Sequence, residues 1–130
     1  MKITFLTFII CLTLSGLNAQ RLTDGSRSTV GYIENGRVTD SNRSTIGYME
    51  NDRIMNGSRS IMGYFDNGRV LNGSRSTIGY IENGRVMNSS RSTIGYWENG
   101  RILNGNRSTM GYYEGVKGVH AALFFFFFFY

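Results

Sequence analysis

The sequence predicts an all-β protein in which antiparallel β-hairpins repeat every sixteen residues around a pseudo-symmetry axis and an apolar tail follows them. Three observations predict it. A Gly-Tyr pair returns at Gly31, Gly47, Gly63, Gly79, Gly95 and Gly111, always at the same interval. Asn-Gly turn signals hold a fixed place in the period, and Asn-Gly is the strongest short hairpin signal because a type I′ turn needs positive φ at both central residues. The runs between turns are rich in Thr, Ile, Val and Tyr, which suit a pleated, half-buried strand. A disordered Gly/Ser/Asn linker would lack β-branched residues placed so regularly.

Residues 1–19 read differently from the rest. Lys2 gives a positive start, residues 3–17 are largely apolar, and Leu17-Asn18-Ala19 ends in a small residue. This is the pattern of a secretory signal peptide cut after Ala19. The apolar run falls short of the ~20 residues of a membrane span, and Thr4, Thr7 and Thr13 interrupt it. Cys11 follows Ile10, where a lipoprotein signal would need a small residue. Cys11 leaves with the leader, so the exported chain holds no cysteine and cannot use disulfides. Its stability must come from strand pairing and packing. The absence of proline fits strands that are paired rather than left as edges.

Residues 20–112 form the hairpin-repeat domain. Six blocks, from 21–32 to 101–112, each run from an arginine through the Gly-Tyr pair, and five joints connect them. Four joints read Glu/Asp-Asn-Gly-Arg, as at Glu34-Asn35-Gly36-Arg37; the fifth is Glu50-Asn51-Asp52-Arg53. The second turn of each unit, such as Asn56-Gly57-Ser58-Arg59 or Asn88-Ser89-Ser90-Arg91, is looser. A two-residue hairpin sets Glu82 opposite Arg85, and likewise Glu34/Arg37, Glu50/Arg53, Asp66/Arg69 and Glu98/Arg101. Exposed pairs of this kind stabilise by only ~0.2–1 kcal/mol each. The same register pairs Ile81 with Val86, Ile33 with Val38, Met49 with Ile54, Phe65 with Val70 and Trp97 with Ile102, so this face is buried. The other face carries Ile78, Tyr80 and Met87. Gly79, in mid-strand, marks a bulge or a close backbone approach, with a neighbouring Tyr or Trp to cover it.

Twelve arginines supply most of the positive charge. Without Lys2, 13 basic against 9 acidic residues leave a net charge of about +4. Arg27, Arg43, Arg59, Arg75, Arg91 and Arg107 have, for the most part, no acid at a fixed partner position, which predicts a basic rim at one end. A β-solenoid is the alternative architecture. It would stack these like charges ~4.8 Å apart, at a cost of roughly 1–4 kcal/mol per contact. A ring of hairpins separates them and is preferred.

Residues 113–120 are an adaptor, and residues 121–130 a Phe-rich tail containing Phe124, Phe125, Phe126, Phe127, Phe128 and Phe129. Left in water such a run aggregates. A central strand or stem inside the ring, covered on both faces, is the expected arrangement, with a membrane-inserting tail or anchor as the alternative. The repeats are too short and polar to form a lipid-facing barrel.

The unit Asn-Gly-Ser-Arg-Ser-Thr-Ile-Gly-Tyr-Ile-Glu-Asn-Gly-Arg-Val, with a leader before it and a Phe run after it, resembles the small exported bacterial β-flower proteins of the five-fold type. The Ser-Thr-Ile-Gly core at 76–79 and the tail at 121–129 carry the resemblance most specifically, and it spans the whole chain. It implies hairpins as petals around an axis and export from a bacterial cell, and it brings no active residues.

Nothing in the sequence makes an enzyme. His120 is the only histidine and, beside Lys117, reads as a surface residue. No Cys/His cluster offers a zinc site, and the turns lack the dense carboxylates calcium needs. No cofactor is expected. Asn42, Asn56, Asn72, Asn88 and Asn106 each head an Asn-x-Ser sequon, a by-product of turn chemistry in a bacterium. The functional expectation is a non-enzymatic structural or scaffold protein of the bacterial envelope, periplasmic, outer-membrane-associated or secreted. The alternative is an anion- or acidic-glycan-binding module using the arginine rim, whose guanidinium groups suit phosphorylated or acidic envelope glycans. Nucleic acid is not an expected partner, since the aromatics that would stack on bases are shared with the core.

Overall fold

The computed structural model describes residues 20–130; the signal peptide expected at 1–19 lies outside them. Twelve short strands occupy the described chain: β1 (Arg21–Asp24), β2 (Thr29–Glu34), β3 (Arg37–Thr39), β4 (Thr45–Glu50), β5 (Arg53–Asn56), β6 (Ile61–Asp66), β7 (Arg69–Asn72), β8 (Thr77–Glu82), β9 (Arg85–Asn88), β10 (Thr93–Glu98), β11 (Arg101–Asn104) and β12 (Thr109–Glu114). Each pairs antiparallel with its neighbours in sequence, and β1 pairs with β12 to close a barrel. Five petals are closed by two-residue turns. The sixth is β12 with β1, where Arg21 faces Glu114 as Arg37 faces Glu34. The ring therefore has six petals, and the solenoid does not form.

Turn chemistry fixes the register. Asn35, Asn67, Asn83 and Asn99 have φ of 47–52° and the glycines after them 81–84°, the positive pair of a type I′ turn. Asn51 and Asp52 adopt the same shape without glycine, at φ 50° and 68°. The opposite turns are three-residue loops. The Asn56 carbonyl accepts from the Arg59 amide at 2.9 Å, and the Asn56 amide donates to the Ser60 carbonyl at 2.9 Å. The Asn56 side-chain oxygen accepts from the Ser58 and Ser60 amides at 2.9 and 3.0 Å. Asp24, Asp40, Asn72, Asn88 and Asn104 repeat the arrangement, so this turn is as tightly specified as the other.

All five predicted apolar pairs are cross-strand partners. The register shifts once beside every three-residue loop; in β8 the shift lies between the partners of Thr77 and Gly79, leaving Ile78 as the extra residue of a bulge. The bulge turns Ile78 onto the interior cluster, along with Val30, Ile46, Met62, Ile94 and Met110. Simple alternation had placed Ile78 beside Tyr80 on the outer face. The outer row of Thr23, Thr39, Met55, Leu71, Met87 and Leu103 is buried but does not join that interior cluster. Each member stands opposite a tyrosine, as Met87 does to Tyr80.

The tail fills the barrel as a helical stem; of the two forms expected, strand or stem, the strand is not adopted. Helix α1 (Gly118–Leu123) buries Ala121, Ala122 and Leu123, and Phe124–Phe128 continue as a π-helix. Geometry decides between the two forms. The six mid-strand glycines, one per petal, form a tier around the axis. Six extended residues would spread their rings along about 20 Å of axis and send alternate rings to opposite sides. A helix rises only about 1.5 Å per residue and sweeps its side chains around the axis. Phe124 lies against Gly31, Phe125 against Gly111, Phe126 against Gly95, Phe127 against Gly79, Phe128 against Gly63 and Phe129 against Gly47. That is one circuit of the barrel, one ring per petal, running against the chain direction. Six niches lie about 60° apart, whereas an α-helix turns about 100° per residue; the wider π turn, seen in the Phe129 amide donating to the Phe124 carbonyl at 3.2 Å, reduces the mismatch.

The glycines are required by this contact. A Cβ on Gly79 would stand 2.5 Å from Phe127 Cζ and 2.6 Å from the Met87 carbonyl oxygen. The tail's phenylalanines, and not a Tyr or Trp of the wall, cover the strand glycines.

Candidate functional site

Two places concentrate polar chemistry: the outer wall and one mouth of the barrel. On the wall, the six arginines expected at a basic rim all sit at the left-handed position of a three-residue loop, with φ of 66–68°. Their side chains do not fringe the end of the barrel. Each folds back along the wall, its guanidinium 3.8–3.9 Å from the ring centre of a tyrosine: Arg27 on Tyr112, Arg43 on Tyr32, Arg59 on Tyr48, Arg75 on Tyr64, Arg91 on Tyr80 and Arg107 on Tyr96.

The expectation that these arginines mostly lack an acid partner is overturned. Arg43 reaches Glu34 and Arg59 reaches Glu50, both at 3.2 Å; Arg91 reaches Glu82 and Arg107 reaches Glu98, both at 3.6 Å. The reason is reach. An extended arginine lying over Tyr32 spans the petal and meets the acid two residues beyond the tyrosine. The turn arginines expected to pair with those acids are their cross-strand neighbours, yet among the described residues only Arg101 with Glu98 (3.5 Å) closes an ion pair of that kind. Arg21 with Glu114 (3.6 Å) is its equivalent in the sixth petal. Arg37 donates to the Thr45 hydroxyl and Arg101, besides its contact with Glu98, to the Thr109 hydroxyl, each at 3.4 Å. The grooves between petals recur with the period: Glu34, Arg37, Tyr48, Glu50 and Arg59 line one, and Arg53, Tyr64, Asp66 and Arg75 the next.

Magnitudes show what the arginine does for stability. A non-glycine residue in the left-handed region costs about 1–2 kcal/mol. An exposed cation–π contact returns ~0.5–1 kcal/mol and an exposed ion pair ~0.2–1 kcal/mol. The terms nearly cancel, and glycine would make the same turn without strain. Two arginines stand apart. Among the described residues Arg27 and Arg75 have no carboxylate within 4.0 Å. Asp66 is one methylene shorter than the glutamates that serve the sister petals, and Glu114 is taken by Arg21. Arg27 and Arg75 are three petals apart, on opposite sides of the ring.

At the mouth ringed by the type I′ turns, α1 leans to one side. Gly118 lies so close to Trp97 of β10 that a Cβ there would run into the indole. Across the barrel this opens a pocket between α1 and β4–β6, floored by Ile54, Phe65 and Leu123 and rimmed by Glu50, Asp52, Arg53 and His120. His120 is half-buried there, at the edge of the pocket, rather than fully exposed. Burial pushes its imidazole below the usual histidine range, and the charge of Lys117 adds to the effect. The sequence held one signal for this place: Asp52 alone replaces glycine in the five turns. No group of three or more His, Cys, Asp or Glu side chains able to hold a metal occurs among the described residues. No helix among them is long and apolar enough to cross a membrane.

A closed ring of near-identical hairpins threaded by an aromatic helix defines an all-β repeat protein of the flower class. The chain belongs to the 5-fold beta-flower protein family, whose model matches residues 19–129. That description names an architecture and no reaction. No curated protein and no solved structure matches the chain.

Proposed function

We propose that this chain is a non-enzymatic structural protein exported to the bacterial cell envelope. One observation carries the reading: the space inside the barrel, where barrels of other kinds hold a ligand, is taken up by the chain's own six phenylalanines seated on six glycines. The leader pattern at 1–19 and a family match that begins at residue 19 support export. The test is fractionation and pulse proteolysis of bacteria making the full chain or a form lacking 121–130. The full chain should be recovered, protease-resistant and starting at Gln20, from the envelope fraction, and the truncated form should be degraded. A truncated form that stays resistant and merely leaves the membrane fraction would make the tail an anchor and end this reading.

A second reading, binding of acidic envelope glycans, is favoured by Arg27 and Arg75, whose guanidinium groups lie on tyrosine rings with no carboxylate partner among the described residues. Salt-sensitive retention on an anionic glycan matrix should be lost in R27S/R75S and largely kept in R43S/R59S. Retention unchanged in the first double variant rules it out.

A further inference from the structure

The mouth pocket is a feature of the described residues that the six-fold repeat does not explain. It exists because α1 leans toward β10, and β4 stands six strands from β10 around the twelve-strand ring. Its volume is about 260 Å³, below the roughly 300–1,000 Å³ of pockets that take drug-sized ligands. The occupant is therefore small. Its rim carries charges of both signs, and two of them, on the exposed turn residues Asp52 and Arg53, also border the neighbouring wall groove. The Glu50 carboxylate is held by Arg59 on the outer wall at 3.2 Å. Asp52 and Arg53 have no ion-pair partner within 4.0 Å among the described residues, not even each other. His120 of α1 lines the same pocket, and its imidazole makes no hydrogen bond to a side chain or backbone group among the described residues. Asp52 is placed there at a cost. It holds a left-handed backbone, φ 68°, where the four sister turns use glycine.

From an apolar floor, one free carboxylate and one free guanidinium, we propose that the mouth pocket binds a small zwitterion with an apolar side chain, of the free α-amino acid class. The ammonium group is received by Asp52, the carboxylate by Arg53 with His120 beside it, and the side chain lies on Phe65, Ile54 and Leu123. A charge-assisted contact at each end is what separates such a ligand from a merely greasy one.

The experiment is an NMR titration of the folded chain from residue 20 with L-leucine as probe. N-acetyl-leucine, leucinamide and isoamyl alcohol are the controls. Leucine should shift the resonances of His120 and of the turn at 51–53. Removing either charge by capping should weaken binding at least tenfold, and isoamyl alcohol should bind no better than the capped forms. D52G, which installs the residue of the sister turns, should weaken leucine binding at least tenfold while the melting temperature holds or rises. The proposal is overturned if leucine leaves those resonances unmoved, if a control binds as well as leucine, or if D52G binds as the parent does.

Discussion

The wall and the helix that threads it are built on opposite principles. In the wall every device is present about six times: the Asx-stabilised loop, the bulge, the arginine on its tyrosine, the apolar pair. The helix is used once, and successive residues of it serve different petals. A defect in the wall is therefore local, while a defect in the helix reaches whichever petals depend on that ring. The largest effect should come from the helix. Phe124 is 1 % exposed and packs against Gly31, Phe125, Phe129 and Tyr130. Phe124→Ala should cost about 3–5 kcal/mol, as buried aromatic deletions do. Phe128, only half-buried, should cost less. Chemical denaturation of the two variants checks the order, and equal losses would mean the rings are interchangeable filling and not a fitted series.

The joint between the two regions can be broken from either side. Gly79→Ala sets a methyl against both Phe127 and the Met87 carbonyl. Overpacking of this kind costs about 1–3 kcal/mol. Placed in a Phe127→Ala background, the same substitution should cost measurably less, because one of the two obstacles is gone. The backbone carbonyl remains, so the rescue is partial. A double-mutant cycle with no coupling between positions 79 and 127 would mean the ring does not set the glycine.

How much of this was legible follows the same division. The period, the type I′ turns and the pairing of Ile81 with Val86 could be read because each follows from local residue chemistry repeated six times. Mid-strand Gly79 did signal a bulge or a close approach, but that the bulge turns Ile78 inward could not be read, since this depends on how two strands settle around a loop. The path of Arg43 over Tyr32 to Glu34 was missed for a related reason. Reasoning from cross-strand neighbours gave that acid to Arg37, and only the left-handed backbone at Arg43 aims the longer reach. The structure places the tail inside the barrel, in the stem form and not the strand form that the sequence left open beside it. Six phenylalanines in a row have no periodicity of their own, and the form is imposed by where the six glycines lie. The mouth pocket arises from the lean of α1, which no single residue announces.

A smaller effect separates backbone strain from side-chain contact in the wall. Arg59→Ala keeps the left-handed residue and removes both the Tyr48 and Glu50 contacts, so it should destabilise by about 1–2 kcal/mol. Arg59→Gly removes the same contacts and the strain together, and should change stability by less than about 0.5 kcal/mol. Thermal denaturation of the pair distinguishes the terms. If glycine proves as damaging as alanine, the turn stores no strain and the arginine's contacts stabilise more than exposed contacts usually do.

The smallest effect is a proton's, and it belongs to the mouth and not to the wall. His120 has its folded pKa held below its ordinary 6.5, first by burial and then by Lys117. Arg53, Glu50 and Asp52 are the other charged residues lining the pocket with it. An unfolded chain takes up the proton as pH falls through 6.5, and the folded chain resists until a lower pH. The stability tied to the neutral imidazole is therefore complete above 6.5 and is lost as pH falls from there through the folded value. Urea midpoints at pH 7.5, 6.5 and 5.5 should drop more steeply for the parent than for His120→Gln, which has nothing to protonate at that position. Parallel pH profiles for the two proteins would mean that the imidazole is as well solvated in the barrel's mouth as in the unfolded chain, and the lean of α1 would then have buried nothing that matters to it.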